Sequence, residues 1–127
     1  MALKLTRDEI NALEAGYETD CLVAEYVMRK PKPGLTHEPD HIGLIDAGSW
    51  YCLPDYYDGD RCEWTPHAFS SNISFAWMLV MQFDRYTICS ALDNMNYCAL
   101  GADLVGAYGE TPAIAICRAS LRVVMNA

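Results

Sequence analysis

The sequence predicts an α+β fold in one domain: two helices, an irregular acidic middle, then a helix, three short strands and a closing helix. Three observations predict it. Apolar residues recur at helical spacing in "CLVAEYVM", in "NISFAWMLVMQF" and in the C-terminal stretch, which turns one face of each segment toward a core. Between residues 86 and 108 lie three short extended segments separated by turn-forming residues, the pattern of antiparallel hairpins. Of the 127 residues 52% are apolar, enough for a single continuous core and too many for a disordered chain.

The elements follow in order. Thr6-Arg7-Asp8-Glu9 is a capping box, with Thr6 accepting from the first turn and Glu9 reaching back. It opens a short helix that Gly16 should end. A second helix is expected from about Glu18 to Lys30, with Leu22, Val23, Tyr26 and Val27 as its apolar stripe and Pro31 as its stop. Residues 31–49 read as loop. In "WYCLPDYYDGDRCEW" Asp58-Gly59 signals a two-residue hairpin turn between aromatic flanks, and Pro54 marks a break or an edge. Ser70 or Ser71 should cap the third helix. On its helical wheel Ile73, Ala76, Trp77, Val80 and Met81 fall on the core side. Strands are expected at 86–92, 96–100 and 104–108, with Asp93-Asn94 and Gly101-Ala102-Asp103 as their loops. Thr111-Pro112 is an N-cap followed by proline at the first helical position, and it opens a last helix to about Met125.

His37-Glu38-Pro39-Asp40-His41 reads as H-E-x-x-H, the signature of zinc hydrolases. That signature works only on a helix, where both imidazoles reach one ion. Pro39 sits between the histidines, and a proline inside a helix costs about 3 kcal/mol. A loop is expected here, with no metal. Asp55, Asp58, Asp60 and Glu63 lack the ligand spacing of a calcium loop.

Net charge is −8, and residues 36–65 hold seven acids against one base, Arg61. An acidic chain without a basic stripe should not bind nucleic acid directly. No C-x-x-C pair occurs among the six cysteines, which weakens zinc-ribbon and redox readings. "MALKLTRDEI" is too polar for a signal-peptide core, and no apolar run is long enough for a membrane span. The cysteines are therefore expected as reduced core thiols in a cytoplasmic protein, a Cys52–Cys62 bridge being the alternative.

The order helix, three strands, helix also occurs in double-stranded-RNA-binding domains. Those need lysines at the start of the final helix, where this chain has Thr111-Pro112-Ala113-Ile114. Three other stretches carry a resemblance. "CLVAEYVM" (21–28) resembles an L-V-A-E-x-V-M helix, "FSSNISFAW" (69–77) an aromatic-S-T-D-I-x-A-A-W pattern, and "GETPAIAICRASL" (109–121) an A-P-x-A-I-C-R-A-x-L terminus. In that order they resemble the phage ABA sandwich domain, a family of small bacteriophage and prophage proteins. The resemblance implies an α-β-α sandwich, a small antiparallel sheet with helices on both sides. It brings no catalytic residue, and none is assigned. Of the family-like positions, Trp77 reads as a core anchor, and Arg118 stands four before Arg122 with Glu25 as a plausible ion-pair partner.

An enzyme needs convergent groups of tuned pKa, and no nucleophile motif, Gly-rich phosphate loop or carboxylate pair stands out. The better reading is a non-enzymatic phage-type accessory protein that acts by binding in the host cytoplasm, with no cofactor. Two uses suit that origin. One is counter-defence by sequestering a signalling nucleotide, for which Trp50, Tyr56, Tyr57 and Trp64 (with Tyr51) could stack a base and Ser70-Ser71 could receive a phosphate at a helix N-terminus. The other is an acidic inhibitor, with segment 38–63 mimicking nucleic acid before a host defence protein. An uncharacterised enzyme remains a third reading. Finally, "WMLVMQF" is apolar where the resembling family is charged. Phase on the wheel then puts Phe75 and Met78 outside, where a homo-oligomer contact across a two-fold axis is expected.

Overall fold

The computed structural model describes residues 4–33, 45–46, 48–52 and 64–127. Among these residues the fold is α+β, with four α-helices and two small antiparallel sheets. Helix α1 (Arg7–Asn11) starts on the expected capping box: Thr6 Oγ1 accepts from the Glu9 N–H at 3.2 Å, and the Glu9 carboxylate accepts from the Thr6 N–H at 3.1 Å. Gly16 does not end this helix. Its φ of 152° makes it the turn residue from which α2 (Tyr17–Leu22) begins. Helix α2 runs on as a π-helical segment, Val23–Val27, in which the Met28 N–H reaches back to the Val23 carbonyl at 2.9 Å. The wider π turn keeps Val23, Ala24 and Val27 buried together, and the chain leaves it through Arg29 at φ 57°, ahead of Pro31.

The first sheet is β1 (Ile45–Asp46), β2 (Trp50–Cys52) and β3 (Thr65–Pro66), in that order. The expected aromatic flanks do pair, Trp50 opposite Pro66 and Tyr51 opposite Thr65. Asp58-Gly59 between them lies outside the described residues, as does His37–His41. β1 falls in the stretch read as loop, because two residues are too few to show a period.

The second half follows the expected order. Helix α3 (Ile73–Val80) leads into β4 (Tyr86–Ser90), β5 (Asn96–Leu100), β6 (Val105–Gly109) and α4 (Pro112–Val124). The strands form one antiparallel sheet in sequence order, with Ile88, Cys98 and Ala107 in one row. Asp93 and Asn94, at φ 61° and 59°, make the β4–β5 turn; short polar side chains tolerate that left-handed backbone best among non-glycine residues. The cap of α3 is neither Ser70 nor Ser71. Asn72 Oδ1 accepts from the N–H groups of Ser74 and Phe75 at 2.9 and 3.4 Å. Thr111 caps α4 by accepting from the Ile114 N–H at 3.3 Å, with Pro112 following as expected.

Helix α4 sits in the middle. It packs on β5 and β6 and also on α3, the π segment and α1. Ala113 to Cys117, Ala119, Ser120 and Leu121 are all buried, so their side chains leave no solvent face over two turns. Cys98, Leu100 and Ala107 from the sheet join Ile114, Ile116 and Leu121 in a core that also holds Ile10, Val23, Trp50, Phe69 and Leu79. The backbone comes closest where β6 hands over to α4: a Cβ on Gly109 would lie 2.6 Å from the Ala115 nitrogen. Among the described residues no helix is long and apolar enough to cross a membrane.

Cys21, Cys89, Cys98 and Cys117 are free, but Cys52 is disulfide-bonded. The expectation of six reduced thiols is therefore corrected. Cys52 ends the short strand β2, and a bridge there adds a covalent restraint to a sheet of very short strands. The remaining cysteine, Cys62, lies outside the described residues.

Two expected outcomes follow from this packing. Gly109→Ala should destabilise by about 1–3 kcal/mol, the usual cost of overpacking, because the new methyl meets backbone; urea unfolding would read it, and an unchanged midpoint would contradict the close approach. Alkylation of unfolded, unreduced protein should label Cys21, Cys89, Cys98 and Cys117 and spare Cys52, as peptide mass spectrometry can check.

Candidate functional site

A sheet of three strands has two edges, and α4 closes one of them. Arg118 and Arg122, one helical turn apart, both reach the outer edge of β6. The Arg118 guanidinium donates to the Tyr108 carbonyl at 2.8 Å and, through Nε and Nη2, to the Leu13 carbonyl at 3.0 and 2.6 Å. Arg122 donates to the Gly106 carbonyl and to the main-chain oxygen of Ala127. An edge strand presents alternate carbonyls to solvent, and here two such groups receive guanidinium donors. Arg118 ties α1 to the sheet by the same contact. Glu25 is exposed, and Arg118 is held by main-chain oxygens instead of the ion pair expected with it.

Main-chain carbonyls take three of the five Arg118 N–H groups, and among the described residues no carboxylate pairs with its charge. That charge borders a cleft of about 500 Å³ between α1 and the β6 edge. Arg7, Asp8, Asn11 and Tyr108 complete the wall beside Arg118 and Arg122. Asp8 offsets Arg7 only loosely, at 3.8 Å with both side chains largely exposed. Three of the nine basic residues thus meet at one cleft of a chain carrying −8. Tyr108 is 56% exposed, and its ring lies 4.9 Å from that of Tyr97. Cationic forks beside an accessible aromatic ring suit a flat anion.

Two further polar clusters hold elements together. Asp20 on α2 is buried, and Oδ1 accepts from the Ser70 N–H at 2.7 Å and from the Ser70 hydroxyl at 2.6 Å. Ser70 Oγ accepts in turn from the Gly16 N–H at 2.9 Å. Burial pushes the Asp20 carboxyl up, and the Ser70 hydrogen bonds partly offset this. The second cluster is His67, whose Nε2 lies 3.3 Å from Asp46 Oδ1 and whose ring stacks on Phe75 at 4.5 Å, with Tyr51 at 5.1 Å. The His67 contact and the Gly48 N–H together hold the Asp46 carboxyl below the usual carboxylate range.

The residues singled out in the sequence are dispersed by the fold. Trp50 is buried, with Nε1 donating to the Lys30 carbonyl at 2.7 Å, and Trp64 is buried as well. Ser70 is committed to Asp20, Ser71 is exposed, and Tyr56 and Tyr57 lie outside the described residues. Phe75 and Met78 are half-buried and packed against the core. The buried side of α3 is Ala76, Leu79 and Val80, whereas Ile73, Trp77 and Met81 are 49%, 39% and 68% exposed. The expected core side thus holds at Ala76 and Val80 and fails at Ile73, Trp77 and Met81, since a helix apolar all round carries no phase signal of its own. The arginine cleft was missed for a different reason. Arg118 and Arg122 at i and i+4 signal a shared face, but nothing in the sequence says that Arg7 and Tyr108 come to them.

The Asp46 geometry has a pH consequence. A carboxyl lowered on folding stabilises above its unfolded pKa of about 3.9, and that contribution disappears as pH falls through the folded value. Asp46→Asn should therefore be less stable than wild type at pH 7, with the difference vanishing as pH falls through the lowered folded value of Asp46. A stability difference that persists undiminished at the acid end would show that the His67 contact is not the cause.

No curated protein and no solved structure matches this chain. The family model for the phage ABA sandwich domain matches residues 21–121. That span takes in the end of α2, the π segment, both sheets, α3 and most of α4, including Ser70 and Arg118. By this match over most of its length, the chain belongs to the phage ABA sandwich domain family.

Proposed function

We propose that this protein is a small phage-type accessory protein that works by binding, and that its ligand is a small phosphate-bearing molecule of nucleotide type. The observation that carries this is the arginine cleft: Arg7, Arg118 and Arg122 around about 500 Å³, with exposed Tyr108 on its wall. Ligand pockets commonly hold about 300–1,000 Å³, so a mononucleotide or a small cyclic nucleotide is of suitable size. Phosphate oxygens would take the N–H groups that the guanidiniums do not spend on main-chain carbonyls. Tyr108 would stack the base. For a phage, holding such a molecule serves to sequester a host signalling nucleotide. Trp50, Trp64 and Ser70 do not contribute to this reading, since they are buried and two of them already donate to other groups. The alternative, an acidic surface that occludes a host defence protein, rests on charge alone, because most of segment 38–63 lies outside the described residues.

A thermal-shift panel of nucleotides, with inorganic phosphate as control, tests the proposal. A ligand that binds only the folded state at a hundredfold excess over Kd stabilises it by about 2.7 kcal/mol. At least one nucleotide should raise Tm, and Arg7→Ala with Tyr108→Ala should abolish the rise without lowering the ligand-free Tm, because both side chains are exposed. A panel without any shift, or a shift that survives in the double variant, would overturn it.

A further inference from the structure

Among the described residues the other edge of the main sheet is open. β4 is an outer strand, and Tyr86, Thr87, Cys89 and Ser90 are exposed along it. The Gly101 N–H donates to the Arg85 carbonyl at 2.9 Å and the Ala91 N–H to the Met95 carbonyl at 2.7 Å, so these flanking residues turn their polar groups toward β5. Polar groups alternate sides along an antiparallel strand. The N–H and C=O of Tyr86, Ile88 and Ser90 therefore point outward. Where β6 has Arg118 and Arg122 along its edge, β4 has no proline, no charge and no bulge, the usual devices that stop an edge from pairing.

A second exposed apolar surface lies beside it. Ile73, Trp77 and Met81 form an exposed ridge on α3, and the Trp77 ring meets the Tyr86 ring edge-on at 5.3 Å. Tyr86 stands opposite Leu100 in the sheet, so its side chain shares the face that α4 covers, and α3 packs on α4. Ridge and strand edge are thus adjacent parts of one surface.

We propose that β4 pairs antiparallel with β4 of a second copy across a two-fold axis, joining two three-stranded sheets into one of six and bringing the two α3 ridges together. Charge decides in favour of a second copy. Each chain carries −8, so two copies can meet only where the surface is free of like charge, and Tyr86–Ser90 with Ile73, Trp77 and Met81 is uncharged. Antiparallel pairing also sets the Asp84-Arg85 end of one strand beside the Asp93 end of the other, so that Arg85 stands between two acids at each end of the seam. The strand is self-complementary about Ile88. That residue faces its own counterpart in a hydrogen-bonded pair, and Tyr86 faces Ser90 of the second copy. Thr87 then stands opposite Cys89 of the second copy in a non-hydrogen-bonded pair, where Cα atoms are about 4.5 Å apart and a disulfide can span them.

Light scattering and crosslinking on the full chain test both the assembly and its register. Wild type at about 50 µM should have the mass of a dimer, a concentration at which micromolar affinity is read directly. Met81→Glu with Ser90→Pro should give a monomer of unchanged circular dichroism, because both residues are exposed and the Ser90 N–H points away from β5. Thr87→Cys under mild oxidation should form a covalent dimer through Cys89, which is free and exposed in wild type. A monomeric wild type, a dimer that survives the double variant, or a Thr87→Cys dimer that does not crosslink would each overturn the proposal.

Discussion

Everything else in this fold answers to the burial of α4. Over its first three turns nearly every side chain is out of water, so the helix needs apolar neighbours on opposite sides at once. The β5–β6 face supplies one side, and α3, the π segment and α1 supply the other. Ala113, Ala115 and Ala119 keep the helix slim enough for close approach. At Gly109 the absence of a side chain lets β6 turn directly into it. Central helices of this kind are costly to disturb, because no face can relax into solvent.

Polar groups that cannot escape the same burial are paired. Asp20 is the clearest case: its carboxylate is desolvated, and the Ser70 N–H and hydroxyl compensate while fixing the turn ahead of α3. Core thiols behave as small apolar groups. Burial pushes Cys98 up to about 12 and Cys117 well above its ordinary value, with the nearby Asp20 carboxylate adding to the effect on Cys117. Neither is a nucleophile at neutral pH. Cys89 is free and exposed on β4.

The two sheet edges divide the molecule's outward chemistry. One edge meets α4's arginines, and the charge that seals it also leaves a cationic cleft on an acidic chain. The other edge is neutral, and among the described residues nothing pairs with its outward backbone groups, beside which the α3 ridge is exposed. Both features come from the same layout, in which α4 crosses behind β6 and α3 lies toward β4. A small α+β domain of this family thereby presents two unlike surfaces without adding an element to its core.

Local chemistry was legible from the sequence by itself. The Thr6 capping box, the Thr111-Pro112 start of α4, the Asp93-Asn94 turn and the three strands of the main sheet each depend on residues within a few positions of one another, and each stands where the sequence places it. The family was legible too, because its pattern follows α2, the turn before α3 and α4. What only the tertiary structure decided is which side of an all-apolar helix faces inward, and which distant residues meet. Helix α3 is apolar nearly all round, so packing against α4 turned Leu79 inward with Ala76 and Val80 and left Trp77 exposed. Asp20 and Ser70 are fifty positions apart, and Arg118 and Leu13 are separated by 105. Pairings at that range follow from how layers stack, and a helical or strand period carries no information about a neighbour that the chain reaches only after folding.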